Sequence, residues 1–171
     1  CYSLKKLKKN IKNFKKNFKR INPLICFSVK SNSNDYILKE IKLSGLGADV
    51  VSMGELLKAL KNGISAKKIV FSGVGKSYEE LEYAIEKKIL LINCESESEI
   101  FDIEKIAKKK REIVDIGIRL NPDIDAKTIN KISTGKRENK FGLTEENFLK
   151  FIKKFKNNKN LKIKCLSVHI G

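Results

Sequence analysis

Lys30 is the residue whose surroundings in this sequence most clearly point to chemistry. It follows the uncharged and mostly apolar run 24–29, which is typical of a strand buried on both faces of a parallel sheet. Catalytic groups in α/β proteins lie at the carboxyl ends of such strands. A lysine at the edge of an apolar interior loses its proton more readily, and its neutral amine can form a Schiff base with a carbonyl compound. A lysine that merely reaches water from a strand end would show the same pattern.

Polar side chains also follow the other apolar runs. The chain's one histidine, His169, comes at the end of the last run, while Asp49 and Ser52 belong to the second run and Arg119 to the fifth. In a parallel barrel the carboxyl ends of all strands face one mouth. We therefore expect Lys30 and His169 on a common rim, although ordinary loops also contain polar residues of these types.

The elements that must position these residues alternate along the chain. Apolar runs predict strands at residues 24–29, 48–52, 68–72, 89–94, 113–120 and within 161–170. Amphipathic patterns predict helices at residues 3–19, 35–44, 54–62, 77–88, 97–110 and 144–157, and a long polar loop covers 121–142. In the first helix, Ser3 is the expected N-cap, and one apolar face should point to the core, formed by Leu4, Leu7, Ile11, Phe14 and Phe18.

Strict alternation of strands and helices predicts a parallel sheet, which fits either a doubly wound open sheet or a (β/α)₈ barrel. The sequence has neither a dinucleotide-binding fingerprint nor a mark of a topological switch point. A barrel has eight units and typically about 250 residues, whereas these 171 residues supply six strands. We therefore predict an α/β fold of the (β/α)₈ TIM-barrel type, truncated after about six β/α units, with both chain ends cut.

The formal net charge of +17 raises the question of nucleic-acid binding. The excess is almost entirely lysine, densest at helical spacing in residues 5–20 and 150–164, where a solvated helix face is the usual explanation. Lys, Asn, Ile and Phe are over-used together and share A/T-rich codons. The chain has no tryptophan and no stacking platform, so we expect no nucleic-acid partner.

The residue inventory disfavours several other sites and locations. A single histidine and the absence of a Cys-x-x-Cys pair disfavour a metal site, and the cysteines in apolar runs are expected to be buried small hydrophobes. Gly75-Lys76-Ser77 lacks the earlier glycine of a phosphate-binding P-loop, since Val70 occupies that position. No run is long enough for a membrane span, and no signal peptide is evident. A cytoplasmic protein with no membrane partner is therefore expected.

Several motifs together resemble those of the fold type III pyridoxal-phosphate-dependent decarboxylases, from about residue 24 to the end. They include Phe27-Ser28-Val29-Lys30-Ser31-Asn32, the stretches 47–56 and 69–76, Arg119-Leu120-Asn121-Pro122 and His169-Ile170-Gly171. The long loop carries Ile132-Ser133-Thr134-Gly135 and Asn139-Lys140-Phe141-Gly142. In this loop the chain is similar to the diaminopimelate branch of the family in particular.

The resemblance implies a cofactor, a reaction and roles for the candidate residues. Pyridoxal 5'-phosphate would be held by Lys30 and stacked by His169, with Asp49, Ser52 and Arg119 lining its pocket. The implied reaction converts meso-2,6-diaminopimelate, a small amino acid, to L-lysine and CO₂ as the last step of lysine biosynthesis. The full-length protein is expected to be a homodimer.

Departures from the family pattern leave alternatives open. Ser28 and Ser31 stand where alanine is usual, and Met53 where glycine is usual. The family's phosphate-binding loop, the acid that meets the pyridine nitrogen and a β-rich domain would follow Gly171. Residues 1–171 are therefore expected to form a partial cofactor-binding barrel domain that is inactive alone. The alternatives are a related decarboxylase acting on ornithine or arginine, and a non-catalytic regulatory homologue, against which the retention of Lys30 and His169 argues.

Overall fold

The computed structural model describes residues 2–124 and 141–169, and its central feature is one parallel sheet. The loop motifs Ile132-Ser133-Thr134-Gly135 and Asn139-Lys140, together with Ile170-Gly171, lie outside the described residues. The strands of the sheet are β1 (Cys26–Ser28), β2 (Gly47–Val50), β3 (Ile69–Phe71), β4 (Leu91–Cys94), β5 (Val114–Leu120) and β6 (Leu161–Val168).

The order of the strands decides between the two predicted architectures. Each strand pairs in parallel with the next strand along the chain, from β1 to β6. A doubly wound sheet reverses its strand order at a switch point, whereas a (β/α)₈ barrel keeps sequence order throughout. The prediction of a TIM-type barrel with about six units in this chain is therefore confirmed.

Helices connect and precede the strands much as the apolar periodicity predicts. They are α1 (Leu4–Asn17), α2 (Asp35–Leu43), α3 (Met53–Lys61), α4 (Tyr78–Glu86), α5 (Glu97–Lys110) and α6 (Glu145–Phe155). Each begins after a Ser, Asn or Thr whose side chain accepts a hydrogen bond from a backbone N–H of the first turn. Such N-caps satisfy amides that have no partner within the helix, which explains where each helix starts.

The core lies between the sheet and the inward faces of the helices. Ile41, Leu56, Leu81, Ile103 and Phe151 come from five different helices, and all are fully buried. They pack in one cluster with strand residues that are equally buried, Ala48, Val50, Ile69, Phe71, Ile116 and Ile118. This continuous packing fixes the carboxyl ends of the strands relative to one another.

The prediction that run 24–29 is a strand buried on both faces is wrong. Only Cys26–Ser28 form β1, all three are half-buried, and Leu24 is exposed. The physical reason is position: among the described residues β1 pairs with β2 alone, so it is an edge of the sheet. Val29, fully buried, leaves the strand and begins a 3₁₀ turn that contains Lys30.

The predicted apolar face of α1 is only partly directed to the core. Leu7 and Ile11 pack against the core, whereas Leu4, Phe14 and Phe18 are exposed. The rings of Phe14 and Phe18 stack on each other with centroids 4.6 Å apart. No helix among the described residues has the length and apolar character needed to cross a membrane.

Candidate active site

A cavity of about 240 Å³ opens at the carboxyl ends of the strands. Its wall includes the residues that follow both the first and the last described strands, Lys30 and His169. Asp49 and Arg119 also line it. The structure thus brings together four of the five side chains that the sequence singled out.

A larger cavity of about 310 Å³ lies at the opposite end of the sheet, where β4 and β5 begin. Its polar wall consists of lysines and acids, such as Lys88 and Glu112, which form an ion pair 2.7 Å apart. Charged groups that pair with each other in this way are typical of a solvated surface. Barrel enzymes place their chemistry at the carboxyl ends, so the smaller cavity is the candidate active site.

Lys30 is positioned by the short 3₁₀ turn Val29–Ser31 rather than by the strand itself. The buried Val29 anchors the turn, and Ser31 Oγ donates a hydrogen bond to the carbonyl of Ser28 at 2.7 Å. The backbone of Asn32 closes the turn on Val29 O at 3.1 Å. These contacts hold the backbone of Lys30 at the rim and leave its side chain exposed in the cavity mouth.

A polar chain runs across the floor of the cavity from β2 to β4. Ser72 Oγ donates to Asp49 Oδ1 at 2.6 Å, and Asn93 Nδ2 donates to Ser72 Oγ at 3.1 Å. Asn93 Oδ1 is buried and has no hydrogen-bond partner among the described residues. A Cβ on Gly117 would lie 2.2 Å from that oxygen, so the neighbouring strand accepts Asn93 only because position 117 has no side chain.

Arg119 is the buried cation of the site. Its Nη1 lies 2.9 Å and 3.2 Å from the two carboxylate oxygens of Glu95. The guanidinium carbon is 4.9 Å from the centroid of the Phe141 ring, a cation–π distance. Nη2 donates to the carbonyl of His169 at 3.5 Å, while Nε is buried without a hydrogen-bond partner in the described part of the chain.

Two further positions complete the placement of the predicted residues. His169 directly follows β6 and is exposed at the cavity wall. Ser52 is not among the lining residues; it is the N-cap of α3, and its Oγ accepts from the amide of Glu55 at 3.3 Å. The predicted contact of Ser52 with a cofactor stays a prediction.

A buried ion pair between Lys76 and Glu99 supports the cavity from behind. Lys76 Nζ lies 2.5 Å from Glu99 Oε1 and also donates to the carbonyls of Gly73 and Asn93, at 2.7 Å and 2.8 Å. Burial raises the pKa of Glu99, and the neighbouring Lys76 partly offsets this effect. Lys76 thus links the loop after β3 to α5, through Glu99, and to β4, through the carbonyl of Asn93.

The sequence analysis missed the parts played by Ser72, Asn93, Glu95 and Lys76. Each follows or ends an apolar strand, which is the signal that drew attention to Lys30. The sequence places Lys76 at the rim and excludes it from a P-loop, but its partner Glu99 lies one β/α unit further on, in α5, and sequence spacing alone does not pair them. Polar side chains that follow apolar runs therefore indicate site residues, even where their types are common in ordinary loops.

No cysteine of the described residues lines the cavity. Burial, with a smaller effect of Asp49, raises the pKa of Cys26 to about 11, and burial also raises the pKa of Cys94 well above its ordinary value. Both thiols therefore stay protonated near neutral pH. Cys94 is fully buried as expected, while Cys26 and Cys165 are half-buried and free. The described residues contain no cluster of His, Cys, Asp and Glu that could hold a metal ion.

The arrangement has a definable chemistry. A primary amine at the mouth can bond to an aldehyde or ketone carbon, and an imidazole beside it can stack on a flat ring. The guanidinium of Arg119 and the carboxylate of Asp49 line the same cavity and carry charges of opposite sign. Such a site suits an aromatic carbonyl compound that carries charged substituents.

Comparison with known proteins gives consistent matches. A family model described as "Pyridoxal-dependent decarboxylase, pyridoxal binding domain" matches residues 4–171. The diaminopimelate decarboxylase of Helicobacter pylori strain J99 is 46% identical over 170 residues, which are 99% of this chain and 42% of that protein. The chain therefore spans less than half the length of such relatives.

Solved structures of such enzymes are similar along nearly the whole chain. The diaminopimelate decarboxylase from Helicobacter pylori complexed with L-lysine superimposes with a TM-score of 0.97 at 45% identity, covering 99% of this chain and 43% of that one. The enzyme from M. jannaschii in co-complex with L-lysine gives a TM-score of 0.89 at 36% identity, covering 99% and 41%.

Proposed function

The chain belongs to the pyridoxal-dependent decarboxylases, through the domain that binds pyridoxal, and from this premise we propose the reaction. The protein that contains this chain converts meso-2,6-diaminopimelate to L-lysine and CO₂. The observation that carries the proposal is the meeting of Lys30 and His169 at one cavity, in a chain 46% identical to a diaminopimelate decarboxylase.

The residues present fit pyridoxal 5'-phosphate. Its aldehyde requires a primary amine, which Lys30 supplies at the mouth of the cavity. Its flat ring requires a stacking surface, which the imidazole of His169 can provide. The cavity of about 240 Å³ lies just below the range of roughly 300–1,000 Å³ usual for small-molecule pockets, and Asn93 Oδ1 and Arg119 Nε are wall atoms that lack hydrogen-bond partners among the described residues.

Each of the candidate site residues would then have a role in binding the cofactor. Lys30 would hold the cofactor aldehyde through Nζ, at the mouth of the cavity that a substrate amine must also reach. His169 would hold the ring by stacking, while Asp49, which accepts a hydrogen bond from Ser72, and Arg119, which pairs with Glu95, would supply charges for its polar substituents. Ser52 contributes through the turn after β2, where it caps α3 beside this wall. When bound, the cofactor supplies the electron sink that lets the carboxylate leave as CO₂.

The setting of the enzyme follows from the same proposal. We expect a homodimer of the full-length protein that acts in the cytoplasm, without a nucleic-acid partner. Three free cysteines among the described residues suit a compartment that keeps thiols reduced. The sequence has no tryptophan, and its excess of lysine at helical spacing is typical of solvated helix faces.

Release of CO₂ from candidate substrates tests the proposal. The full-length gene product, loaded with pyridoxal phosphate, should decarboxylate meso-2,6-diaminopimelate and leave ornithine and arginine nearly untouched. Lys30→Ala should abolish turnover, whereas Lys39→Ala, which removes an exposed lysine of α2, should not change it. Turnover of ornithine or arginine in preference would assign the chain to another branch, and unchanged turnover in Lys30→Ala would refute the site.

A further inference from the structure

Glu95 is a buried carboxylate to which the proposed chemistry gives no task of its own. It directly follows β4, is 4% exposed and lines the cavity. Both of its oxygens lie near Arg119 Nη1, and Oε1 also accepts from the amide of Gly73 at 3.3 Å. A carboxylate with charged and amide donors on it is held in one orientation.

The guanidinium of Arg119, which pairs with Glu95, connects the ends of two other strands. Arg119 belongs to β5, and its guanidinium reaches sideways to Glu95 after β4 and to the carbonyl of His169 after β6. The ring of Phe141 packs against the same guanidinium. Arg119 therefore links the end of β4 to the backbone of the residue proposed to stack on the cofactor.

Glu95 is itself fixed from outside the cavity. Its amide donates to Glu99 Oε2 at 3.0 Å, and the other oxygen of Glu99 pairs with Lys76. Gly73 is held at both its amide, by Glu95, and its carbonyl, by Lys76. Groups of this chain therefore fix both the amide and the carboxylate of Glu95, as is usual for a supporting residue that preorganises a site.

We infer that Glu95 is a positioning residue, which sets the guanidinium of Arg119 and, through it, the end of β6 that carries His169. The inference rests on the proposed function, because it concerns how the site binds pyridoxal phosphate. The location of the Arg119–Glu95 ion pair supports the inference. Both of its residues line the cavity that contains Lys30, whereas Lys76 and Glu99 are not among the lining residues.

Glu95→Asp in the full-length gene product is the sharpest variant. It keeps the charge opposite Arg119 but withdraws the carboxylate by one methylene. We expect weaker binding of pyridoxal phosphate in an absorbance titration and a kcat/KM lowered about 10- to 100-fold, since small misplacements cost this much. Glu112→Asp is the matched control, because it shortens the acid of an ion pair at the far end of the sheet and should match the wild type.

Arg119→Gln and the double variant separate positioning from general stability. If Glu95 acts through Arg119, Glu95→Asp should cause no further loss of cofactor affinity or kcat/KM once Arg119 is gone. Three results would overturn this inference but not the proposed function. The first is that the losses caused by the two substitutions multiply in the double variant. The others are a Glu95→Asp protein that equals the wild type and one that circular dichroism shows to be unfolded. A wild-type protein that binds no pyridoxal phosphate would overturn the proposed function and this inference with it.

Discussion

Lys30 and His169 lie near opposite ends of the sequence but line one cavity. The parallel sheet explains the meeting, because consecutive strands deliver their carboxyl ends to the same side. The residue types and their positions after apolar runs were enough to predict that Lys30 and His169 lie at the same rim. The partners between them, Ser72, Asn93 and Glu95, could not be assigned from sequence, because their hydrogen bonds join different β/α units.

Gly117→Ala tests the polar floor at the residue scale. The new methyl would meet Asn93 Oδ1 at 2.2 Å and Cys165 Cβ at 3.2 Å, so Asn93 must move and release Ser72. We expect a loss of about 1–3 kcal/mol in the free energy of unfolding from overpacking, and weaker binding of pyridoxal phosphate. Urea denaturation and absorbance titration measure the two effects.

Gly54→Ala is the control for this substitution. Gly54 lies in the first turn of α3, and the nearest atom to its added Cβ is Ser52 Oγ at 3.9 Å. Alanine is the better helix former by about 1 kcal/mol in a helix interior, so this variant should be at least as stable as wild type. Normal cofactor binding in Gly117→Ala would show that Asn93 does not organise the site.

At the scale of elements, apolar periodicity predicted the helices closely and the strands less well. Helix α5 occupies the predicted residues 97–110, since Ser96 caps it and its apolar positions recur every three to four residues. Strand β1 is shorter than the predicted 24–29. The run is apolar enough for a buried strand, but its exposure depends on which neighbours pair with it, and sequence composition does not contain that information.

The loop between β3 and α4 should depend on Lys76. Lys76→Met keeps most of the side-chain volume but removes the cation from Glu99 and from the carbonyls of Gly73 and Asn93. Removing one partner of a buried pair should lower the free energy of unfolding by about 3–5 kcal/mol. Urea denaturation followed by circular dichroism measures this change.

Lys150→Met serves as the comparison for Lys76→Met. Lys150 pairs with Glu146 on the surface of α6, and both side chains are largely exposed. Water and salt screen such a pair, so its loss should change stability little. Equal effects of the two substitutions would contradict the assigned role of the buried pair.

For the whole molecule, the described sheet has two edges, β1 and β6. Within residues 2–124 and 141–169, β6 pairs with β5 alone, and its apolar side chains Leu166 and Val168 are exposed. Such an edge is a template for pairing with another chain. The order of the strands was predictable from alternation, and a barrel left unclosed after six units implies an exposed edge strand, whereas the side chains that lie on that edge became evident only from the packed structure.

The 171-residue chain, produced by itself, should therefore self-associate. We expect its sedimentation coefficient to rise with protein concentration, and Leu166→Lys to reduce this rise because a charge on an edge strand opposes pairing. Lys164→Arg, on the same exposed face but without a change of charge, is the control. Concentration-independent sedimentation of a folded monomer would contradict this expectation.

The most direct test of the central claim is to identify the lysine that bonds to the cofactor. The full-length gene product is mixed with pyridoxal phosphate, reduced with borohydride, digested and mapped by mass spectrometry. The account predicts a single phosphopyridoxyl adduct, on Lys30, among the many lysines of this basic chain. Labelling scattered over surface lysines, or confined to a lysine outside the cavity, would contradict it.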